Sequence, residues 1–166
     1  MDKKISNQEA FSNKVVWITG ASAGIGEEMA VAFARSGSKL VLSARNSEQL
    51  ERVEKRCYEA GADREGVLVI PLDVVDLDAM PGAVDKVMEA YSRIDLLINN
   101  AGVGVRDFCT EVQLDLYRTA LEVNLMGPIA LTKQVLPIMI KQGSGHIAGT
   151  SSVAGKVGIP LRTAYC

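Results

Sequence analysis

Short apolar runs alternate with longer amphipathic ones along this chain. Lys14 to Thr19 (KVVWIT) is apolar and β-branched, as a strand buried on both faces should be, and glycines follow it at once. From Glu27 to Arg35 the spacing turns helical, with Met29, Ala30, Phe33 and Ala34 able to share one face, and Gly37 closes the helix. Lys39 to Ala44 (KLVLSA) predicts a second strand, and Ser47 to Ala60 a helix with Leu50, Val53 and Cys57 on its apolar side. Val67 to Leu72 predicts a third strand, with Pro71 near its end, where a missing N–H is tolerated. Asp76 to Arg93 reads as the next helix, capped by Asp76 and with Pro81 in its first turns. Asp95 to Asn99 is the fourth strand and Gly145 to Thr150 the fifth. Between them a helical region covers Leu114 to Lys141, with an interruption expected at Gly127-Pro128, because a proline inside a helix costs about 3 kcal/mol.

Five strands alternating with helices, with no internal repeat or low-complexity linker, predict an α/β fold: a doubly wound parallel sheet, Rossmann-like, in three layers. Ligands of such sheets bind outside the carboxyl ends of the strands, and the polar and glycine-rich turns of this chain fall at those ends. The first of them is Gly20-Ala-Ser-Ala-Gly-Ile-Gly26. Its context of strand, glycine turn and helix is that of a phosphate cradle, where backbone approaches a pyrophosphate and unpaired helix N–H groups meet its charge. The spacing is G-x-x-x-G-x-G rather than G-x-G-x-x-G, and no Gly-Lys-Ser/Thr follows as a P-loop needs.

Composition narrows the picture. A formal net charge of −2, with both signs scattered, offers no basic stripe, so nucleic acid is set aside. Cys57, Cys109 and Cys166 are odd in number and far apart, which argues against a disulfide framework and for a reducing, cytoplasmic compartment. His146 has no partner at ligand spacing and reads as structural, so no metal is expected. Residues 1–12 read as a polar tail and 13–166 as one domain. No run of eighteen apolar residues occurs, so no membrane segment is expected in this chain.

Taken together the motifs make the chain resemble the short-chain dehydrogenase/reductase superfamily over roughly residues 12 to 166. The resemblance rests on Thr19-Gly-Ala-Ser-Ala-Gly-Ile-Gly26, Leu72-Asp73-Val74, Asn99-Asn-Ala-Gly102, Asn124-Leu-Met-Gly127, Ser151-Ser152, and Tyr165 thirteen residues after Ser152. Leu42-Ser-Ala-Arg45 and the ending Tyr165-Cys166 look most like the member-seven branch of the dehydrogenase/reductases. The resemblance implies a nicotinamide dinucleotide held by Gly20, Ser22, Ala23, Gly24, Ile25, Gly26, Arg45, Asp73, Val74, Asn100, Ala101 and Gly102. Arg45 stands at the end of the second strand, where NAD enzymes usually carry a carboxylate, and so points to NADP in preference to NAD.

It also implies hydride transfer between nicotinamide and a small carbonyl or secondary alcohol. Tyr165 would be the general acid/base, Ser152 would hold the substrate oxygen, and the Asn124 backbone would hold a water of the proton relay. Val157 to Leu161 (VGIPL) would line an apolar pocket mouth. The family's Tyr-x-x-x-Lys lysine falls past Cys166, so the chain reads as incomplete at its C-terminus, without the family's last strands, and without turnover of its own. A homo-oligomer is expected of the longer form, which in related proteins carries a membrane-anchoring N-terminus. The alternative reading is a catalytically inactive nucleotide-binding or interaction protein.

Overall fold

The structure is a computed structural model and describes residues 10–166. Five parallel strands form one sheet in the order β3-β2-β1-β4-β5: β1 Val15–Thr19, β2 Lys39–Ala44, β3 Val67–Pro71, β4 Leu96–Asn99 and β5 His146–Gly149. The helices between them are α1 Gly24–Arg35, α2 Ser47–Glu59, α3 Met80–Tyr91, α4 Leu114–Leu121 and α5 Gly127–Gln142. The expected doubly wound sheet is therefore present, and its order reverses at β1, which has β2 on one side and β4 on the other.

Alternation along β1 decides which helices cover which face. Val16 and Ile18 pack with Ala30 and Ala34 of α1 and with Leu50, Val53 and Cys57 of α2. Val15 and Trp17 point the other way, into a cluster with Val84 and Val87 of α3 and Leu131, Val135 and Met139 of α5. All five residues of β1 are buried, as a strand covered on both faces must be. Even the Trp17 ring nitrogen, inside this core, has a partner: it donates to Ser43 Oγ at 2.9 Å.

Two expected boundaries move. The helix predicted from Asp76 begins at Met80; Asp76 Oδ1 instead accepts the Ala79 N–H at 3.1 Å in a turn, and Pro81 sits in the first helical turn, where its missing N–H costs nothing. The break expected at Gly127-Pro128 is a wide π turn, Glu122–Met126, in which the Gly127 N–H reaches the Glu122 carbonyl five residues back. Upstream of β1, the Phe11 ring meets Phe33 edge-on at 5.1 Å and Asn13 N–H donates to the Gly37 carbonyl at 2.8 Å, so packing reaches into the stretch that composition reads as tail. The expected tail over residues 1–9 lies outside the described residues.

The Leu114–Gln142 run is long and apolar enough, by length and composition, to cross a membrane, which the absence of an unbroken apolar run in the sequence did not reveal. Only 22% of its most apolar window is buried in this fold: Leu131, Val135 and Met139 face the sheet, while Leu121, Leu125, Ile129, Leu136 and Ile140 are exposed. β5 is an edge strand whose four residues are all exposed.

Two buried carboxylates fasten the layers. Asp95 accepts the Val15 N–H at 3.0 Å and two hydrogen bonds from Arg93, joining the starts of β1 and β4. Burial alone would raise its pKa, but the Arg93 and Val15 bonds prevail and hold it below the usual range. Glu27, on the first turn of α1, is gripped by Arg52 and Arg56 of α2, and the Arg52 hydrogen bonds, against the opposing effect of burial, bring its pKa down to about 2 from 4.5. A folded-state value below the unfolded one contributes stability that is complete above about pH 4.5 and is lost as pH falls toward 2. The urea midpoint should therefore fall between about pH 5 and pH 3, and Glu27→Gln should flatten that fall. Equal pH slopes in the two proteins would contradict this assignment.

Candidate active site

At the carboxyl ends of the strands lies an open cleft of about 870 Å³. Every strand end contributes to it. The β1–α1 loop supplies Gly20, Ser22, Ala23 and Ile25; the end of β2 supplies Ala44, Arg45 and Asn46, with Gln49 from α2; the end of β3 supplies Leu72, Asp73 and Val74. Asn99 to Gly104 follow β4, Val123, Asn124 and Pro128 come from the π turn and α5, and Ile147 to Ser152, Gly155 and Tyr165 close the far end.

Of the expected cofactor residues, only Gly24 and Gly26 do not line the cleft. Gly26 serves the loop from behind: a Cβ there would stand 2.2 Å from the Gly20 carbonyl oxygen, so the first turn of α1 can lie against the end of β1 only without a side chain. Gly20, at φ +64°, turns the chain out of β1 and passes so close to Ala101 that a Cβ would come within 2.7 Å of its Cα. Ala23, at the N-cap position of α1, has no side-chain oxygen to give the helix, so N–H groups of the first turn keep their capacity for a ligand at the cleft wall.

The floor is tied together by Thr19, which is 1% exposed. Its Oγ1 accepts the Asn100 and Ala101 N–H groups at 3.0 and 3.1 Å and donates to the Ile98 carbonyl at 3.3 Å. Asn100 Nδ2 donates back to the carbonyls of Thr19 and Gly20, and Thr150 Oγ1 donates to Asn100 Oδ1 at 3.0 Å, joining the ends of β1, β4 and β5. The side chains of Thr19 and Thr150 are missed by motif reading; a hydroxyl beside unpaired N–H groups at a sheet switch point is the signal that could have found them.

Asn99 is also missed. Its Nδ2 donates to Thr132 Oγ1 of α5 at 3.0 Å, while its Oδ1 is buried among the described residues without a hydrogen-bond partner, at a cleft-lining position. An orphan acceptor there fits a site completed by a bound donor.

Asp73, which lines the cleft, accepts the Val75 N–H on Oδ1 at 3.1 Å, a bond that leaves its second oxygen uncommitted. Arg45 is exposed and has no carboxylate within 4.0 Å among the described residues. Asn124 uses both side-chain atoms on one peptide unit, accepting the Val103 N–H at 2.8 Å and donating to the Val103 carbonyl at 2.9 Å. Asn124 lies inside the π turn, where the regular helical register is interrupted ahead of Pro128. The Ser152 oxygen accepts the Ala154 N–H at 3.2 Å and its hydroxyl proton is left to donate. Tyr165 ends a turn in which its N–H meets the Arg162 carbonyl at 2.8 Å, and the segment before it is held by Tyr117 OH to Thr163 Oγ1 and by Asp107 N–H to the Leu161 carbonyl.

Cleft geometry thus brings Asn124, Ser152 and Tyr165 together with ten of the twelve cofactor positions. Val157 to Leu161, expected at the mouth, are not among the lining residues. Their turn is spent instead on pairing with the loop at Asp107. Among the described residues, no group of three or more His, Cys, Asp or Glu side chains stands where a metal could be held.

A family model described as short chain dehydrogenase matches residues 14–166. A human protein named Dehydrogenase/reductase SDR family member 7 is 44% identical over 157 residues, which cover 94% of this chain and 46% of that protein. Among solved structures, a metagenomic short-chain oxidoreductase in complex with NADP superposes with a TM-score of 0.86 at 34% identity, covering 94% of this chain and 70% of that one. An NAD+-bound xylitol dehydrogenase gives 0.86 at 33% identity, covering 98% and 60%. The chain spans about half the length of the curated relatives it matches. The glycine loop, the Asn99-Asn100-Ala101-Gly102 turn and the Ser152/Tyr165 pair thus carry the resemblance read from the sequence to its conclusion: the chain belongs to the short-chain dehydrogenase/reductase family.

Proposed function

We propose that this chain forms the cofactor-binding and proton-transfer part of an NADP-dependent oxidoreductase acting on a small carbonyl compound or secondary alcohol. The observation that carries the reading is the convergence, in one cleft, of an uncapped helix N-terminus for the pyrophosphate, Arg45 at the end of β2, and Ser152 with Tyr165 at the opposite end. Arg45 supports NADP: among the described residues its guanidinium meets no carboxylate within 4.0 Å, and it can take a 2′-phosphate in a bidentate charged pair. Asp73 has an oxygen to accept the adenine amino group, and Gly20, Asn100, Ala101 and Gly102 form the floor on which a ribose would lie.

Bound in this cleft, the nicotinamide supplies or receives the hydride. The chain supplies the rest. Ser152 donates a hydrogen bond from its hydroxyl to the substrate oxygen, keeping its proton, and holds that oxygen in place. Tyr165 gives that oxygen a proton in the direction of reduction and takes it back in oxidation. The Asn124 carbonyl, set in the π turn at the cleft wall, holds a water through which the proton is replenished. A free tyrosine ionises near about pH 10, so rapid exchange at neutral pH calls for a neighbouring cation, which in the family is the lysine four residues after the tyrosine.

Two measurements test the reading. NADPH should bind the 166-residue chain more tightly than NADH, by roughly tenfold or more, and Arg45→Ala should erase most of the difference while leaving NADH binding unchanged. Equal affinity for the two in the unaltered chain would remove the NADP assignment. In a longer form carrying a lysine four residues after Tyr165, NADPH-dependent reduction of a carbonyl panel should appear, and Tyr165→Phe and Ser152→Ala should each lower kcat by about 10²–10⁴ with smaller changes in KM. Turnover that survives Tyr165→Phe would reassign the acid.

A further inference from the structure

Arg52 and Arg56 stand one turn apart on α2 and share a target, but only one of them touches the cofactor loop. Glu27 is the target, with a side chain 9% exposed. Arg52 grips it with two parallel hydrogen bonds, Nη1 to Oε1 at 2.5 Å and Nη2 to Oε2 at 2.7 Å, and its Nη2 has a second proton, which goes to the Ser22 carbonyl at 3.2 Å. Arg56 meets Glu27 Oε1 and, at 3.0 Å, Glu28 Oε1, and has no bond to the loop.

A fork held at two points by a carboxylate cannot swing, so the third bond is aimed. It fixes one peptide unit. In a planar trans peptide the carbonyl and the N–H point in opposite directions, so turning the Ser22 carbonyl toward the Arg52 guanidinium turns the Ala23 N–H to the side opposite that guanidinium. Ser22 and Ala23 line the cleft, as do Ala44, Arg45, Asn46 and Gln49, and the Ala21 N–H, which donates to the Ser43 carbonyl at 3.1 Å, sets this loop beside the corner where β2 ends. That corner is where the substituent on the adenosine ribose of a dinucleotide falls in this class of sheet.

We propose that Arg52 is a positioning residue for cofactor selection: locked by Glu27, it holds the Ser22–Ala23 peptide in the orientation that receives the 2′-phosphate beside Arg45. Arg52 lines no part of the cleft and acts through Ser22 alone. The inference rests on the NADP reading for the identity of the ligand, and on the hydrogen-bond geometry for the orientation of the peptide.

The paired arginines provide the experiment. Dissociation constants for 2′,5′-ADP and 5′-AMP are measured by calorimetry on the 166-residue chain and on Arg52→Ala, Arg52→Lys and Arg56→Ala, and hydrogen–deuterium exchange is followed across Gly20–Gly26 without ligand. Both alanine variants break an ion pair to Glu27, so both lower thermal stability. Arg52→Ala should shrink the preference for 2′,5′-ADP by about tenfold, roughly the loss of one charge-assisted hydrogen bond, and raise exchange in the loop. Arg56→Ala should leave the preference within about twofold and the loop's exchange unchanged. Arg52→Lys keeps the charge but not the fork, and should follow Arg52→Ala in preference while remaining folded if the alanine variant does not. Equal shifts in the Arg52 and Arg56 variants, or no change in loop exchange on losing Arg52, would overturn the proposal. An unaltered chain that prefers 5′-AMP would overturn the NADP reading alone, and if it binds neither nucleotide the exchange comparison decides.

Discussion

One hydroxyl group holds the cleft open. Where β1 and β4 part at the switch of the sheet, the Asn100 and Ala101 N–H groups have left the ladder and point into a nearly dry interior, and Thr19 Oγ1 accepts both. A buried N–H without a partner costs about 1–3 kcal/mol, so two of them at one place would pull the turn out of shape. The same hydroxyl donates to the Ile98 carbonyl, and the Asn100 carboxamide spans from the Thr19 and Gly20 carbonyls to Thr150. Three strand ends, which parallel pairing alone would let splay, become one rigid floor. Everything placed on it inherits that rigidity, from the glycine loop on one side to Ser152 on the other.

Most of the fold was legible because its signals are local and repeated. Buried parallel strands read as continuous apolar runs, and Val15–Thr19, Lys39–Ala44 and Val67–Pro71 lie within a residue of their expected limits. Helix starts were harder. Asp76 looked like a cap because its side chain does cap a backbone N–H, but that of Ala79 in a turn, and nothing in the local sequence separates this from a helix beginning four residues earlier. The break at Gly127-Pro128 was visible as a proline, whereas its form as a wide turn accompanies packing from afar: a Cβ on Gly127 would stand 2.5 Å from the Val74 carbonyl oxygen, in the segment after β3, which no window around residue 127 contains.

Site residues divide along the same line. Glycines, Asp73, Asn100, Ser152 and Tyr165 belong to short patterns with fixed spacing and could be found one motif at a time. Thr19, Asn99, Thr132 and Thr150 matter through partners 33 to 82 residues away, and an isolated threonine at a strand end is indistinguishable from any other β-former. Arg52 is the extreme case: in sequence it is one of several charges on the solvent side of an amphipathic helix, and its tie to Ser22 spans 30 residues.

The two ends of the cleft are anchored by different means. The glycine-loop end stands on β1, β2 and β4, whose side chains form both cores, and its loop is tied at Ser22 to Arg52, itself held by buried Glu27. At the far end Ser152 and Tyr165 follow β5, an edge strand with no buried residue, and the approach to Tyr165 is held by single bonds at Thr163 and Leu161. Local opening free energy rises with buried apolar contact, so the Ser152–Tyr165 end opens more readily than the glycine-loop end. The geometry at Ser152 and Tyr165 thus rests on few contacts beyond exposed β5, while the cradle at Thr19–Gly26 rests on strands buried on both faces.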